Sequence, residues 1–291
     1  MFGRSSGKID LPSVPAALAR IIQITNSPDA SAGKVAGIVM LDQSLAAKVL
    51  RIANSAFYGR RAKAETISEA VVTLGFSSVR NLAASASVVD TLFPKQMFPG
   101  FSWQDMWIHS VNCAVASEVI HSRMARTSSS EAAFVAGLLH DVGKLILARA
   151  LPERFMQIVE ACREYNFTMA QAEKNLLSTD HAKIGGELAE GWEFPEKLRD
   201  GILYHHSPQD ALENEDTARA VGAANLLAKR MSRNYILGVS TEISLKDVAD
   251  QAGLAVDDMD FIVNTVRERM HQCGEILAWS SSMPGAKSMA A

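Results

Sequence analysis

Five histidines and one aspartate, scattered along the chain, constrain its fold more than any other feature. His109, His140, Asp141, His181, His205 and His206 run in the order H…HD…H…HH. Neutral imidazole and carboxylate together are a natural ligand set for a first-row transition metal. For groups spread from residue 109 to residue 206 to meet, several elements must converge in one bundle. A lone histidine on a Met/Cys/Ala face is usually a satisfied core residue; the combination is what points to a metal site. Adjacent His140 and Asp141 can serve two metals, with the carboxylate bridging.

The local patterns are helical almost throughout, with strand-like alternation scarce and no internal repeat. Ser128-Ser129-Ser130-Glu131 reads as a capping box before an apolar run at 132–139. Leu151-Pro152 stops that helix. On one helix over this stretch, Lys144 lies four residues after His140 and three after Asp141, so all three lean to one side. Gly137 and Gly143 lack side chains where neighbouring helices would need to come close.

The other histidines also fall on helical segments. Ser102 opens a helix on which His109 shares a face with Met106, Cys113 and Ala116. His181 lies in a first turn after Ser178-Thr179. His205 and His206 end a helix that begins at Pro195 and stops before Pro208. The Ala/Ser-rich run at 77–89 has helical spacing and suits tight packing. A Pro/Gly-containing break at 93–100 is the best candidate for a junction. The expectation is an all-α, multi-helix bundle: an N-terminal helical lobe at 1–95, a metal-bearing lobe with C-terminal helices at 96–280, and a loose tail at 281–291.

The order of these residues resembles the HD superfamily of metal-dependent phosphohydrolases, and most closely its signalling branch, the HDOD domain (HD-related output domain). The likeness rests on Leu11-Pro12-Ser13-Val14-Pro15, Asp42-Gln43-Ser44-Leu45 leading into Lys48, Leu50 and Arg51, and Ala53-Asn54-Ser55-Ala56-Phe57-Tyr58-Gly59. It continues through Ile67-Ser68-Glu69-Ala70, Leu74-Gly75, Trp107-Ile108-His109-Ser110 and Gly137-Leu138-Leu139-His140-Asp141-Val142-Gly143-Lys144. It covers roughly residues 10–210.

The resemblance implies that His109, His140 and Asp141 are the first three HD ligands. It makes His181, His205 and His206 similar to the added histidines of the dinuclear HD-GYP phosphodiesterases, which cleave cyclic di-GMP. The last HD position, an aspartate in the hydrolases, is Asn225 here. After the double histidine the chain runs Ser207-Pro208-Gln209-Asp210, without the hydrolases' Glu and Gly-Tyr-Pro stretch. A neutral amide oxygen is a poorer ligand than a carboxylate, though it can bind weakly or hold a water. Metal binding should therefore survive the change better than catalysis, with Asp141, His181, His205 and His206 the more coherent set. The implied cofactor is one or two ions of iron, manganese, zinc or nickel.

Composition limits the alternatives. A chain of 291 residues with 48% hydrophobic content can bury a sizeable core. A net charge of −3 and a pI near 6.2 argue against a globally basic nucleic-acid binder. Basic residues cluster at Lys48/Arg51 and Arg60-Arg61-Ala62-Lys63; they read as solvated charge or as a partner-facing surface. Cys113, Cys162 and Cys273 are scattered with no C-x-x-C, and Cys113 suits a small apolar filler. With no signal-like apolar core at the start and charges breaking the apolar stretch 132–150, a cytoplasmic setting and no membrane span are expected.

Three functions remain. The first is a bacterial-type signal-transduction module that binds protein partners or a small nucleotide ligand, with a metal as structural pin or sensor. The second is a phosphohydrolase acting on a cyclic dinucleotide or nucleotide, with Lys144 contacting the phosphate or leaving group. The third is a DNA-binding regulator, suggested by a helix-turn-helix-like stretch at 245–254. Asp257-Asp258-Met259-Asp260 would set three carboxylates against the phosphates, so a structural helical hairpin is the better reading there. The resemblance and Asn225 favour the first function.

Overall fold

Side-chain caps set where the helices begin. Ser31 Oγ accepts from Lys34 N–H at 3.3 Å to open α2 (Ala32–Met40), and Thr66 Oγ1 accepts from Glu69 N–H at 3.2 Å to open α4 (Ile67–Leu74). Thr168 with Gln171 forms a capping box on α9 (Met169–Leu177), and Ser244 with Asp247 another on α13 (Leu245–Ala252). Ends are marked by left-handed residues: Asn166 closes α8 (Pro152–Tyr165), Ser178 closes α9 and Gly253 closes α13.

The computed structural model describes residues 9–25, 27, 29–54, 64–76, 79, 83, 86, 92–94, 96–124, 131–231 and 242–272. The remaining helices are α1 (Ala16–Thr25), α3 (Gln43–Ala53), α5 (Trp103–Met124), α6 (Glu131–Leu139), α7 (Val142–Ala150), α10 (His181–Gly191), α11 (Glu196–Leu203), α12 (Glu215–Met231) and α14 (Asp258–Gln272). Among the described residues the only extended pairing is an isolated bridge between Phe98 and Phe101. The fold is all-α. Arg60, Arg61 and Lys63, read as a basic cluster, Ser128–Ser130, expected to cap a helix, Cys273 and the segment 281–291 lie outside the described residues, as do Ser55–Gly59 and most of the run at 77–89.

α1 to α4 pack on one another. Asn54 ties the end of α3 to the approach to α4: its Nδ2 donates to Ala64 O at 2.8 Å and its Oδ1 accepts from Ala64 N–H at 2.6 Å. The break at 93–100 turns its phenylalanines inward while Gln96, Met97, Pro99 and Gly100 stay exposed. Phe93, Phe98 and Phe101 surround Trp103, which stacks on Phe155 at 5.8 Å, and the Trp103 indole donates to Gln96 O at 2.9 Å. The N-terminal Leu11-Pro12 stretch is latched to the end of α10, where the Trp192 indole donates to Pro12 O at 2.9 Å.

Helix α5 is the axis of the bundle. It is buried on nearly every side, and α6, α12 and α14 pack around it. Its small residues let the neighbours close in: a Cβ on Gly137 of α6 would lie 2.8 Å from the Cys113 carbonyl. α13 packs on α12 through Val248, Ala249 and Ala252, while α14 lays Met259, Ile262 and Val266 into the core, with Asp258 paired to Arg123 at 2.5 Å. The 245–272 segment is thus a helical hairpin packed on the bundle.

One expected helix is two. The run 131–150 breaks at His140 and Asp141, which form a turn between α6 and α7. Asp141 adopts φ −96°, ψ 9°, outside helical geometry. Successive helical side chains diverge by about 100°, so an unbroken helix could not aim both residues at one point. The same reason moves His205 and His206: α11 ends at Leu203 and both lie in the turn beyond it.

Gly143, two residues after the break, faces the backbone carbonyl of His181, and a Cβ there would run into that carbonyl. Neither side is a movable side-chain tip. Gly143→Ala should therefore destabilise the protein by about 1–3 kcal/mol, read as a lower midpoint in chemical denaturation. Wild-type stability would show that α7 and α10 do not approach as closely as this packing requires.

Candidate metal centre

Four separate pieces of chain deliver the histidines and aspartate to one buried locus. His109 comes from the middle of α5, His140 and Asp141 from the turn between α6 and α7, His181 from the first residue of α10, and His205 and His206 from the turn after α11. Five of the six are buried and His206 reaches the surface. They form two groups, His109/His140/Asp141 and His181/His205/His206, and within each the potential ligand atoms lie within 4.8 Å of one another.

Asp141 joins the two groups. Its Oδ2 is 3.3 Å from His140 Nε2 and 3.8 Å from His109 Nε2. Its Oδ1 is 3.2 Å from His181 Nε2. His206 Nε2 lies 3.0 Å from His181 Nε2, and the His140 and His205 rings meet edge to face at 5.0 Å.

Three of the rings are turned the same way by their outer nitrogen. His140 Nδ1 donates to Gly137 O at 2.7 Å and His205 Nδ1 to Ile202 O at 2.7 Å. Both acceptors are carbonyls three residues back, left over where a helix ends. His181 Nδ1 lies 2.6 Å from Glu173 Oε2. Carbonyl and carboxylate oxygens only accept, so each Nδ1 carries the proton and each Nε2 faces the centre.

Charge is managed locally. Lys144 Nζ pairs with Asp141 Oδ2 at 2.6 Å, both groups nearly sealed from solvent. Burial would raise the Asp141 carboxyl, but His140 and Lys144 hold it well below its usual value. Burial would likewise lower His140, and Asp141 more than offsets it, holding the ring up at about 10. Burial, then the neighbouring His140 charge, pushes His109 and His205 well down, into the neutral form that ligates metals.

Some buried polar atoms at the centre are left over. His205 Nε2 and Asn225 Oδ1 are buried and meet no hydrogen-bond partner among the described residues. Such orphans cost about 1–3 kcal/mol each. Imidazole and carboxylate donors in threes, inward Nε2 atoms and an orphaned nitrogen fit a transition-metal ligand set. Asn225 sits on α12, one helical turn before half-buried Lys229. That lysine is pushed down to about 8 by burial and by the Lys144 charge, which places this face of α12 beside the centre.

Sequence reasoning missed Glu173 and Lys229. Glu173 had a legible signal: it falls on the apolar stripe of α9 with Met169, Ala172 and Leu176. Lys229 had none, because a lysine in a last helical turn is ordinarily solvated.

The Asp141–Lys144 pair carries a stability prediction. Removing one partner of a buried pair costs about 3–5 kcal/mol, so Asp141→Asn should destabilise the metal-free protein by that order at pH 7. The folded carboxyl is held below its usual 3.8. Its contribution is therefore complete above that pH and drains as the pH falls below it. Urea titrations should show a flatter acid limb in Asp141→Asn than in wild type; parallel curves would contradict this.

The chain's relatives can now be compared. A curated but uncharacterized protein of Treponema pallidum (strain Nichols) is 26% identical over 222 residues, which is 75% of this chain but 42% of that relative. The chain thus spans less than half the length of the relative it matches. Among solved structures, a proposed phosphohydrolase from Shewanella amazonensis SB2B is 27% identical, with a TM-score of 0.73 over 93% of this chain and 94% of that one. An HDOD domain protein of unknown function from Geobacter sulfurreducens is 28% identical, with a TM-score of 0.68 over 94% and 93%. A proposed signal transduction protein from Marinobacter aquaeolei VT8 is 27% identical, with a TM-score of 0.72 over 94% of this chain and 60% of that one. The HDOD domain itself matches residues 11–208, close to the span of the sequence resemblance and well over half the chain, so this chain belongs to the HDOD domain family.

Proposed function

We propose that this chain is a signal-transduction module whose bundle holds one or two transition-metal ions, iron, manganese, zinc or nickel, and which acts by binding protein partners or a small nucleotide ligand. The observation that carries the reading is Asp141, with one carboxylate oxygen turned to each of two three-donor groups. His109, His140 and Asp141 would hold one ion; Asp141, His181, His205 and His206 the other. A bound ion would supply Lewis-acid polarisation of a phosphate and a cross-link between four segments. The chain's own contribution is to orient the imidazoles, to hold His109, His205 and His206 in the neutral form by burial, and to exclude water from the inner donors. The regulatory half of the reading rests on family membership and on Asn225, whose neutral oxygen cannot compensate a second cation as a carboxylate would.

Metal analysis of protein purified without chelator or nickel resin tests the first half. About one to two ions per chain are expected, since imidazole-rich sites choose weakly among these metals. His140→Ala should strip metal and lower the melting temperature, because ligation stabilises only the folded form. Metal-free wild type that ignores added metal would sink the reading.

Activity separates regulator from enzyme, the hydrolase reading being favoured by the Shewanella relative's name and by Lys144 beside the carboxylate. Wild type should turn over cyclic di-GMP little or not at all. Asn225→Asp should increase metal occupancy and restore at most weak turnover, since a carboxylate improves charge compensation without positioning a substrate. Robust metal-dependent hydrolysis, abolished in His140→Ala, would make this an enzyme.

A further inference from the structure

Glu173 is a carboxylate with no solvent exposure on the inner stripe of α9, a place where an unpaired charge costs several kcal/mol. Among the described residues its hydrogen bonds go to one residue of the next helix. Glu173 Oε2 accepts the His181 backbone N–H at 2.8 Å and faces His181 Nδ1 at 2.6 Å, while Oε1 meets no hydrogen-bond partner among the described residues. One oxygen therefore grips both the backbone and the ring of the residue that opens α10. The grip holds the main chain against the ring, so the imidazole can neither swing nor flip without losing a buried bond. Its free Nε2 is left 3.2 Å from Asp141 Oδ1 and 3.0 Å from His206 Nε2.

His140 and His205 reach the same orientation with a backbone carbonyl. His181 cannot. It is the first residue of α10, preceded by the left-handed Ser178 and the cap Asp180, whose Oδ1 is taken by Lys183 N–H at 2.9 Å. No preceding helical turn ends beneath its ring, so a side chain must supply the acceptor.

We infer that Glu173 is a positioning residue that locks His181 with Nε2 inward and thereby sets the metal affinity of the His181/His205/His206 group. The inference rests on the metal reading above and goes beyond it in naming what holds the ligand. Carboxylate-to-histidine support of this kind is commonly worth about 10- to 100-fold in metal affinity.

The test is zinc titration of the full chain against a chromophoric chelator, with long-range proton–nitrogen spectra of histidine-labelled, zinc-loaded protein. Wild type should bind with His181 coordinating through Nε2 and a protonated Nδ1. Glu173→Leu should weaken zinc binding about 10- to 100-fold and remove the downfield Nδ1–H signal. Glu173→Gln keeps an acceptor oxygen without the charge. It should hold the ring orientation while weakening zinc about tenfold, and it decides the matter alone if the leucine variant does not fold. Asp180→Ala removes the cap of the same helix and controls for structure; it should lower the melting temperature and leave zinc affinity unchanged.

Zinc affinity unchanged in the Glu173 variants would overturn the inference, as would equal weakening in Asp180→Ala. Wild type that takes up no zinc is a different failure, because it removes the metal reading on which the inference stands.

Discussion

A single carboxylate, Asp141, is placed where water cannot reach it, and much of the surrounding architecture follows from that. A buried anion costs several kcal/mol even after the protein relaxes around it. Here it is offset by Lys144 at 2.6 Å and by imidazole nitrogens on both of its oxygens. His140 and Lys144 come from the same stretch of chain as Asp141, but His181 comes from α10 and must be brought close. Gly143 lets α7 meet the start of α10, and Gly137 lets α6 settle on α5. Hydrophobic packing alone would tolerate other helix spacings; charge compensation at this distance would not.

The candidate metal-binding residues share a second constraint: most sit where helices begin or end. The last carbonyls of a helix lack intrahelical partners, and His140 and His205 use such carbonyls to hold their outer nitrogens. Leaving the helix also frees adjacent residues from diverging by about 100°, so that the His205 and His206 rings lie 4.0 Å apart on the same centre. His109 is the exception, standing in the middle of α5, a helix buried on nearly every side. Helix termini thus do two tasks at once, satisfying orphaned backbone groups and aiming imidazoles.

This explains which parts were legible in the sequence. The H…HD…H…HH order needs no structure to be seen, because residue identity alone carries the ligand chemistry. The helix start at Ser102 was also local, its hydroxyl accepting from Asp105 N–H in its own turn. The break at His140–Asp141 was not legible. The run 131–150 has strong helical propensity, and only the tertiary requirement to aim two neighbours at one point interrupts it. The aromatic cluster around Trp103 was hidden in the same way: residues 93–100 have the composition of a linker, yet three phenylalanines in and beside the break are drawn onto Trp103 and Phe155. Glu173 was visible only as a misplaced charge on an apolar stripe, its partner eight residues away across a helix boundary.

Asn225 bears most directly on how such a centre can be used. The two donor groups contain one carboxylate between them, and the cations Lys144 and Lys229 stand close by. A divalent ion in each group would set four positive charges, with two lysines, against Asp141 among the donors and Glu173 behind His181. An aspartate at position 225 would relieve part of that imbalance; an amide relieves none of it, and its buried oxygen meets no hydrogen-bond partner among the described residues. In the proposed reading, electrostatics would favour one well-held ion, with a second admitted when an incoming anion brings its own negative charge. Occupancy of the centre would then be coupled to an anionic ligand. Coupling of this kind suits a module that reports a ligand more than one that must keep two metals permanently in place to turn a substrate over.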